Sequence, residues 1–314
     1  MPSESVLSFV DAMNEHANTI GMLDTVFVNP TGLTTGNVST PLDLLKLGLE
    51  YISDRERIMF WSRMNYVVNI YGQNKRTVNG LAYASGTAIY ASSSINKKYG
   101  GKTLGIKGGS LTYEKDRYRG QIVLVDIQGH PYLVALLTSG EKGFSAMYKA
   151  CGELISIINA SLLGEPCKEP RNNLDIVVKN GGYAAVEVPP VLGVAYCYNY
   201  DTNDLIKRSN SFSENADVRL PVASVAKLMT AIVAMEYITD LNTPVSVLPV
   251  DAQSSGSGIG ILAGDILRFR DAANIMIMNS DNTIAEAIGR SVGQIIKSQN
   301  AVEQIRFLKE MNVI

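Results

Sequence analysis

Apolar residues recur at helical spacing through Val6, Phe9, Val10 and Met13, which predicts a first helix running to a glycine stop at Gly21. Asn29-Pro30-Thr31-Gly32-Leu33 is turn chemistry. Thr40 ahead of Pro41 then reads as the cap and first turn of a second helix, reaching about Tyr51. Helices and long loops are expected up to about residue 92. From about residue 93 the pattern changes. Thr103 to Ile106 is strand-like, and Gln121 to Ile127 and Tyr132 to Leu137 read as buried strands paired across Gly129. Residues 143–163 return to helical spacing, with Phe144, Met147, Cys151, Leu154 and Ile157 on a stripe suited to covering a sheet face.

Residues 164–190 open on a run rich in proline and charge that breaks every period, and read as a linker. Leu192 to Tyr200 and Leu205 to Arg208 flank Asp201-Thr202-Asn203-Asp204 as a hairpin, and a long apolar helix opens near Ser224. The pattern implies an α/β (α+β) chain whose length allows one large domain or two smaller ones, and one over residues 1–314 is expected. Residues 93–220 are expected to form an antiparallel sheet flanked by helices, with 1–92 and 221–314 forming a helical lobe.

A chain of 314 residues that is 46% hydrophobic can bury a substantial core. Its 28 basic and 30 acidic residues are mixed along the chain, so no nucleic-acid surface is indicated. Cys151, Cys167 and Cys197 have no CxxC spacing and suggest packed or surface thiols, with one disulfide left open. The start of the chain lacks the basic and apolar regions of a secretory signal, and no apolar stretch is long enough to span a bilayer, so a soluble chain is expected. His16 and His130 are the two histidines, one in a helical pattern and one at a hairpin turn. Any histidine-based triad or two-histidine metal site would have to use them.

Lysine is the better candidate for a base. Ser224 and Lys227, three apart at the start of a helix, lie on one face a turn apart, so the amine can reach the hydroxyl. A serine is a poor nucleophile until a base takes its proton, and burial or a second cation can lower a lysine's affinity for protons enough to serve. SxxK alone is weak evidence, because serine caps helices and lysine decorates them. Ser280-Asp281-Asn282 adds a hydroxyl and an amide two apart on a tight turn. Leu104-Gly105-Ile106-Lys107-Gly108-Gly109-Ser110 adds a strand whose lysine is followed by glycines, which lets a ligand lie along its edge. Gly100-Gly101-Lys102-Thr103 is not a phosphate loop, because Asn96 stands where its first glycine is required.

Taken together, SxxK, SxN and a lysine-glycine strand resemble the low-molecular-weight penicillin-binding proteins, the serine D-alanyl-D-alanine carboxypeptidases of the serine β-lactamase-like superfamily. Gly21 to Leu33 with Asn37 to Thr40, and Gly258 to Asp265, resemble further segments of that family. No Glu-x-x-Leu-Asn of the class A β-lactamase type is present, which favours the carboxypeptidase branch. The resemblance implies the serine β-lactamase/penicillin-binding protein fold, with the site in a cleft between lobes. Ser224 would attack D-Ala-D-Ala, Lys227 would be its base, Ser280 would relay a proton to the leaving group, and Asn282 would bind the acyl-side amide. Lys107 would supply positive potential. Gly108, Gly109 and Ser110 would line the substrate, with the N–H groups of Ser224 and Ser110 as the oxyanion hole. It implies no metal or cofactor, peptidoglycan stem peptides and β-lactams as partners, and an extracytoplasmic location.

Two departures qualify the resemblance. Gly108 stands where the family carries a hydroxyl residue, which keeps a catalytically weak muropeptide-binding module and an esterase as alternatives. The order is also rotated: Lys107 precedes Ser224 and Ser280, as in a circular permutation. Ile305 to Asn312 resembles Leu7 to Asn14, consistent either with a permuted gene that kept a duplicated seam or with a piece of a tandem array.

Overall fold

The computed structural model describes residues 3–62, 66–81, 101–140, 154–164, 180–188 and 211–310. In chain order the first half begins with α1 (Glu4–Thr19), β1 (Val38–Ser39), α2 (Pro41–Ile52) and α3 (Arg55–Ser62). Five strands follow: β2 (Tyr66–Gly72), β3 (Arg76–Leu81), β4 (Gly101–Tyr113), β5 (Asp116–Ile127) and β6 (His130–Gly140). After helix α4 (154–162) come β7 (Asn180–Glu187), β8 (Ser211–Glu214) and β9 (Leu220–Pro221). A 3-10 turn (Ala223–Val225) leads into α5 (Ala226–Tyr237), then β10 (Pro244–Ser246) and β11 (Asp265–Arg268). The chain continues through α6 (Phe269–Met278) into the long α7 (Asn282–Glu310).

The main sheet is antiparallel, ordered β4-β5-β6-β7-β8, with β4 at its edge. Along β5 and β6 side chains alternate between two apolar cores. Ile122, Leu124, Leu133, Ala135 and Leu137 join α2, α5, α6 and α7 in the larger core. Val123, Val125, Ile127, Val134 and Leu136 pack with Leu154, Ile155 and Ile158 of α4 in the smaller. The expected covering helix is therefore present where it is described, on a stripe in which Ile157 is only half-buried. Phe144, Met147 and the three cysteines lie outside the described residues, as does the expected hairpin at 192–208.

Local chemistry sets the first two helices much as the sequence suggests. Ser3 caps α1, and the Thr40 side chain accepts the Asp43 N–H at 3.1 Å ahead of Pro41. Gly21 closes the first helix region with φ +75°, a conformation that costs glycine little.

Two expectations are corrected. The segment before residue 92 is not only helix and loop, because β2 and β3 pair as a hairpin and join β10 and β11 in a four-stranded sheet. Its signal was short: in β2 only Val68 and Ile70 are inward and buried, between exposed Val67, Asn69 and Tyr71. The linker drawn over 164–190 runs too far, since 180–187 form β7, an inner strand between β6 and β8. Gly181, Gly182, Ala184 and Ala185 carry little strand propensity, and tertiary pairing overrides it.

Candidate active site

The 3-10 turn delivers Ser224 and the first turn of α5 delivers Lys227, so the predicted spacing becomes contact: Nζ lies 2.9 Å from Ser224 Oγ. Lys227 is completely buried. Its Nζ also donates to the Thr31 carbonyl at 2.7 Å and to Asn282 Oδ1 at 2.7 Å. A neutral amine has two hydrogens and one lone pair. With both hydrogens engaged on these two oxygens, the lone pair is left facing the serine hydroxyl. Burial holds Lys227 well below the usual lysine range, the nearby Lys107 lowers it further, and Asp281 and Glu286 oppose the shift.

Lys107 reaches the same site from β4. It is buried, and Nζ donates to Ser280 Oγ at 3.1 Å and to the Gly108 carbonyl at 2.8 Å. Burial brings this lysine down to about 7.

Ser280 and Asn282 frame the turn between α6 and α7. Asp281 between them is buried and caps α7 by accepting the Ile284 N–H at 3.0 Å, while its other oxygen accepts the Ile259 N–H at 2.9 Å. That bond ties the glycine-rich segment before β11 to the site. Asn282 Nδ2 donates to the Ser255 carbonyl at 2.7 Å, so both ends of this amide are held within the protein. One lone pair of Oδ1 remains for an incoming N–H.

Two glycines govern how closely these pieces approach, and a third leaves open space. A Cβ on Gly32 would stand 1.9 Å from the Ala223 carbonyl oxygen, and a Cβ on Gly109 would stand 2.7 Å from Ser224 N and 2.6 Å from Val222 O. Neither position has room for a side chain. At Gly108 an added Cβ meets nothing within 4 Å. Ser110, two residues on, is half-buried along the strand edge.

The structure therefore brings Ser224, Lys227, Ser280, Asn282, Lys107 and the Gly108–Ser110 edge into one cluster. Sequence reasoning missed the carbonyl of Thr31. Its turn was visible, but nothing in a residue's identity says that its backbone oxygen will hold a lysine. It also missed that Ala223 and Ser280 adopt φ +50° and +55°, left-handed conformations that non-glycine residues seldom adopt and that cluster at functional sites. The histidines lie elsewhere in structural pairs, His16 with Glu236 and His130 with Glu187, each at 2.7 Å.

Comparisons with known proteins divide the chain in two. Residues 3–92 match the family described as D-alanyl-D-alanine carboxypeptidase, and residues 197–306 match the β-lactamase enzyme family. D-alanyl-D-alanine endopeptidase of Escherichia coli (strain K12) is 32% identical over 110 residues, covering 29% of this chain and 36% of that protein. The chain thus spans about a third of the length of this curated relative. No solved structure matches. Both matched families are serine hydrolases, and the two matches stand in reversed order, compatible with the permutation read from the motifs. Over these two segments the chain is similar to serine hydrolases of the β-lactamase-like superfamily, and its mixed antiparallel fold is consistent with that likeness.

Proposed function

We propose that the chain is a serine-type D-Ala-D-Ala carboxypeptidase that acts on peptidoglycan peptides and is acylated at Ser224 by β-lactams. The observation that carries this reading is the 2.9 Å contact between Ser224 Oγ and a fully buried Lys227 whose other polar contacts are both acceptors.

In the first step Ser224 gives its proton to neutral Lys227 as Oγ bonds to the carbonyl carbon of the penultimate D-alanine. The N–H groups of Ser224 and Ser110 hold the oxyanion, each such donor being commonly worth about 3 kcal/mol. The C–N bond then breaks. Ser280, bonded to Lys107, passes a proton to the departing amine of the terminal D-alanine, and its hydroxyl is reprotonated through the two lysines. Water hydrolyses the remaining ester, releasing the shortened peptide and free Ser224. Asn282 Oδ1 receives the acyl-side N–H, and the Lys107 charge attracts the terminal carboxylate. Such chemistry belongs on the extracytoplasmic side of the cell, where peptidoglycan is. Among the described residues no helix is long and apolar enough to cross a membrane.

Gly108 favours a second reading, a muropeptide-binding module with weak turnover. The space where the family carries a hydroxyl is open, so one hydrogen bond to substrate is missing. Incubation with a fluorescent penicillin, followed by mass mapping, tests both readings at their common step. An adduct on Ser224 that disappears in Ser224→Ala is expected. No adduct, or one that persists in the variant, overturns the acyl-enzyme. Turnover of a D-Ala-D-Ala peptide then separates the enzyme from the weak module.

A further inference from the structure

Asn282, Glu286 and Arg290 follow one another at four-residue intervals along α7 and form a stripe on one face of the helix. At its start Asn282 holds Lys227. At its end Arg290 grips Asp251, with Nε 2.9 Å from Oδ1 and Nη2 2.7 Å from Oδ2, and Nη2 also donates to the Ser246 carbonyl at 2.6 Å. The same side of the helix abuts the loop that holds Lys227: a Cβ on Gly289 would lie 3.0 Å from Pro30 Cγ, next to Thr31.

Glu286 stands between these two ends. It is half-buried, one turn from the residue that holds the base and one turn from a satisfied ion pair. The neighbouring carboxylates are engaged, Asp251 by Arg290 and Asp281 by the Ile259 and Ile284 N–H groups. Among the described residues Glu286 accepts no hydrogen bond and has no ion-pair partner. Burial pushes its carboxyl up to about 7, Asp251 adds to the rise, and Lys227 opposes it. Lys107 is the cation that bears on the base, and Asp281 is the other carboxylate that does so.

Building on the reading of Lys227 as the base, we infer that Glu286 is a positioning residue that acts on Ser224 through Lys227: as the neutral acid it leaves Lys227 an amine, and as the carboxylate it favours the ammonium. The two titrations are then coupled, with steps that belong to the pair. Loss of the Glu286 proton and retention of the Lys227 proton are coupled, so a negative charge here moves loss of the Lys227 proton to higher pH.

The test follows Lys227 directly, by the 13Cε shift of labelled lysine in the full chain, assigned by its absence in Lys227→Met. Glu286→Gln removes the negative charge. Its Lys227 midpoint is expected to fall by about one unit relative to the parent. Glu286→Asp, which keeps the charge, should stay close to the parent. Coincident midpoints in Glu286→Gln and the parent overturn the inference. Should Glu286→Gln fail to fold, the parent decides: Lys227 is expected to show an inflection at the pH where the Glu286 13Cδ signal titrates, and a single-step curve without one overturns the proposal. Failure of the parent to be acylated by penicillin at any pH would count against the proposed function alone, because the lysine titration needs no acylation.

Discussion

The two walls of the site, one helical and one a strand edge, are built to different standards. On the helical wall, Ser224, Lys227 and Asn282 are buried, Lys227 has three polar contacts and Asn282 is tied at both ends of its amide. On the strand wall, Lys107 is as deeply buried, but the next residue is a glycine with open space where a side chain would be. The difference separates two tasks. Activating a serine needs a dry, over-determined set of contacts, because an amine stays neutral only where an ammonium is poorly solvated. Gripping a substrate needs groups that face solvent, and those can be lost without unravelling the wall.

The largest expected effect is on the helical wall. Lys227→Met should slow acylation of Ser224 by roughly a thousandfold or more, measured as the pseudo-first-order rate with a fluorescent penicillin. A change below tenfold would mean that another group takes the serine's proton and that the ordering of the two walls is wrong. Next comes the seam between them. Gly109→Ala forces a methyl to within 2.7 Å of Ser224 N, so the strand must move off the oxyanion site, and acylation should fall about a hundredfold.

A third prediction concerns the cost of the strand wall's lysine. Lys107 is lowered by burial from the ordinary lysine value to about 7. Between these two values the unfolded chain binds the extra proton, so stability rises as pH increases from about 7 towards 10 and is lost as pH falls back. Urea unfolding should show a gain between pH 7 and pH 9 that is about 2 kcal/mol larger in the parent than in Lys107→Met, with the buried Lys227 contributing to both. Equal gains would show that this lysine is charged in the fold. The smallest effect is the most informative about substrate. Gly108→Thr restores a hydroxyl where there is room for it, and should raise turnover of a D-Ala-D-Ala peptide by about tenfold while altering penicillin acylation by less than threefold. No gain would show that the missing hydroxyl is not what limits the strand wall.

How much of this was visible in the residues follows from what kind of contact each makes. Ser224 and Lys227 were legible because helical geometry converts a spacing of three into proximity. Lys107 was legible because glycines after a strand lysine announce a close approach. Thr31 was not, since its contribution is a carbonyl common to all residues. Glu286 was not, since a glutamate four residues into a helix reads as a solvated charge until the helix is known to face a buried lysine. The hairpin at β2 and β3 escaped because two inward side chains make too short an alternation. Strand β7 escaped because its glycines and alanines have no preference of their own and take their form from β6 and β8.

The methyl-sized gaps around Ser224 also say from which direction this site can change. At Gly32 any side chain would collide with the carbonyl just ahead of the nucleophile, and the backbone there has φ +81°, so single substitutions are barred twice over. That flank of the nucleophile is closed to stepwise variation. A lineage that altered its substrate would have to do so through positions such as 108, where a new side chain enters without first displacing anything, and the serine's own setting would be carried along unchanged.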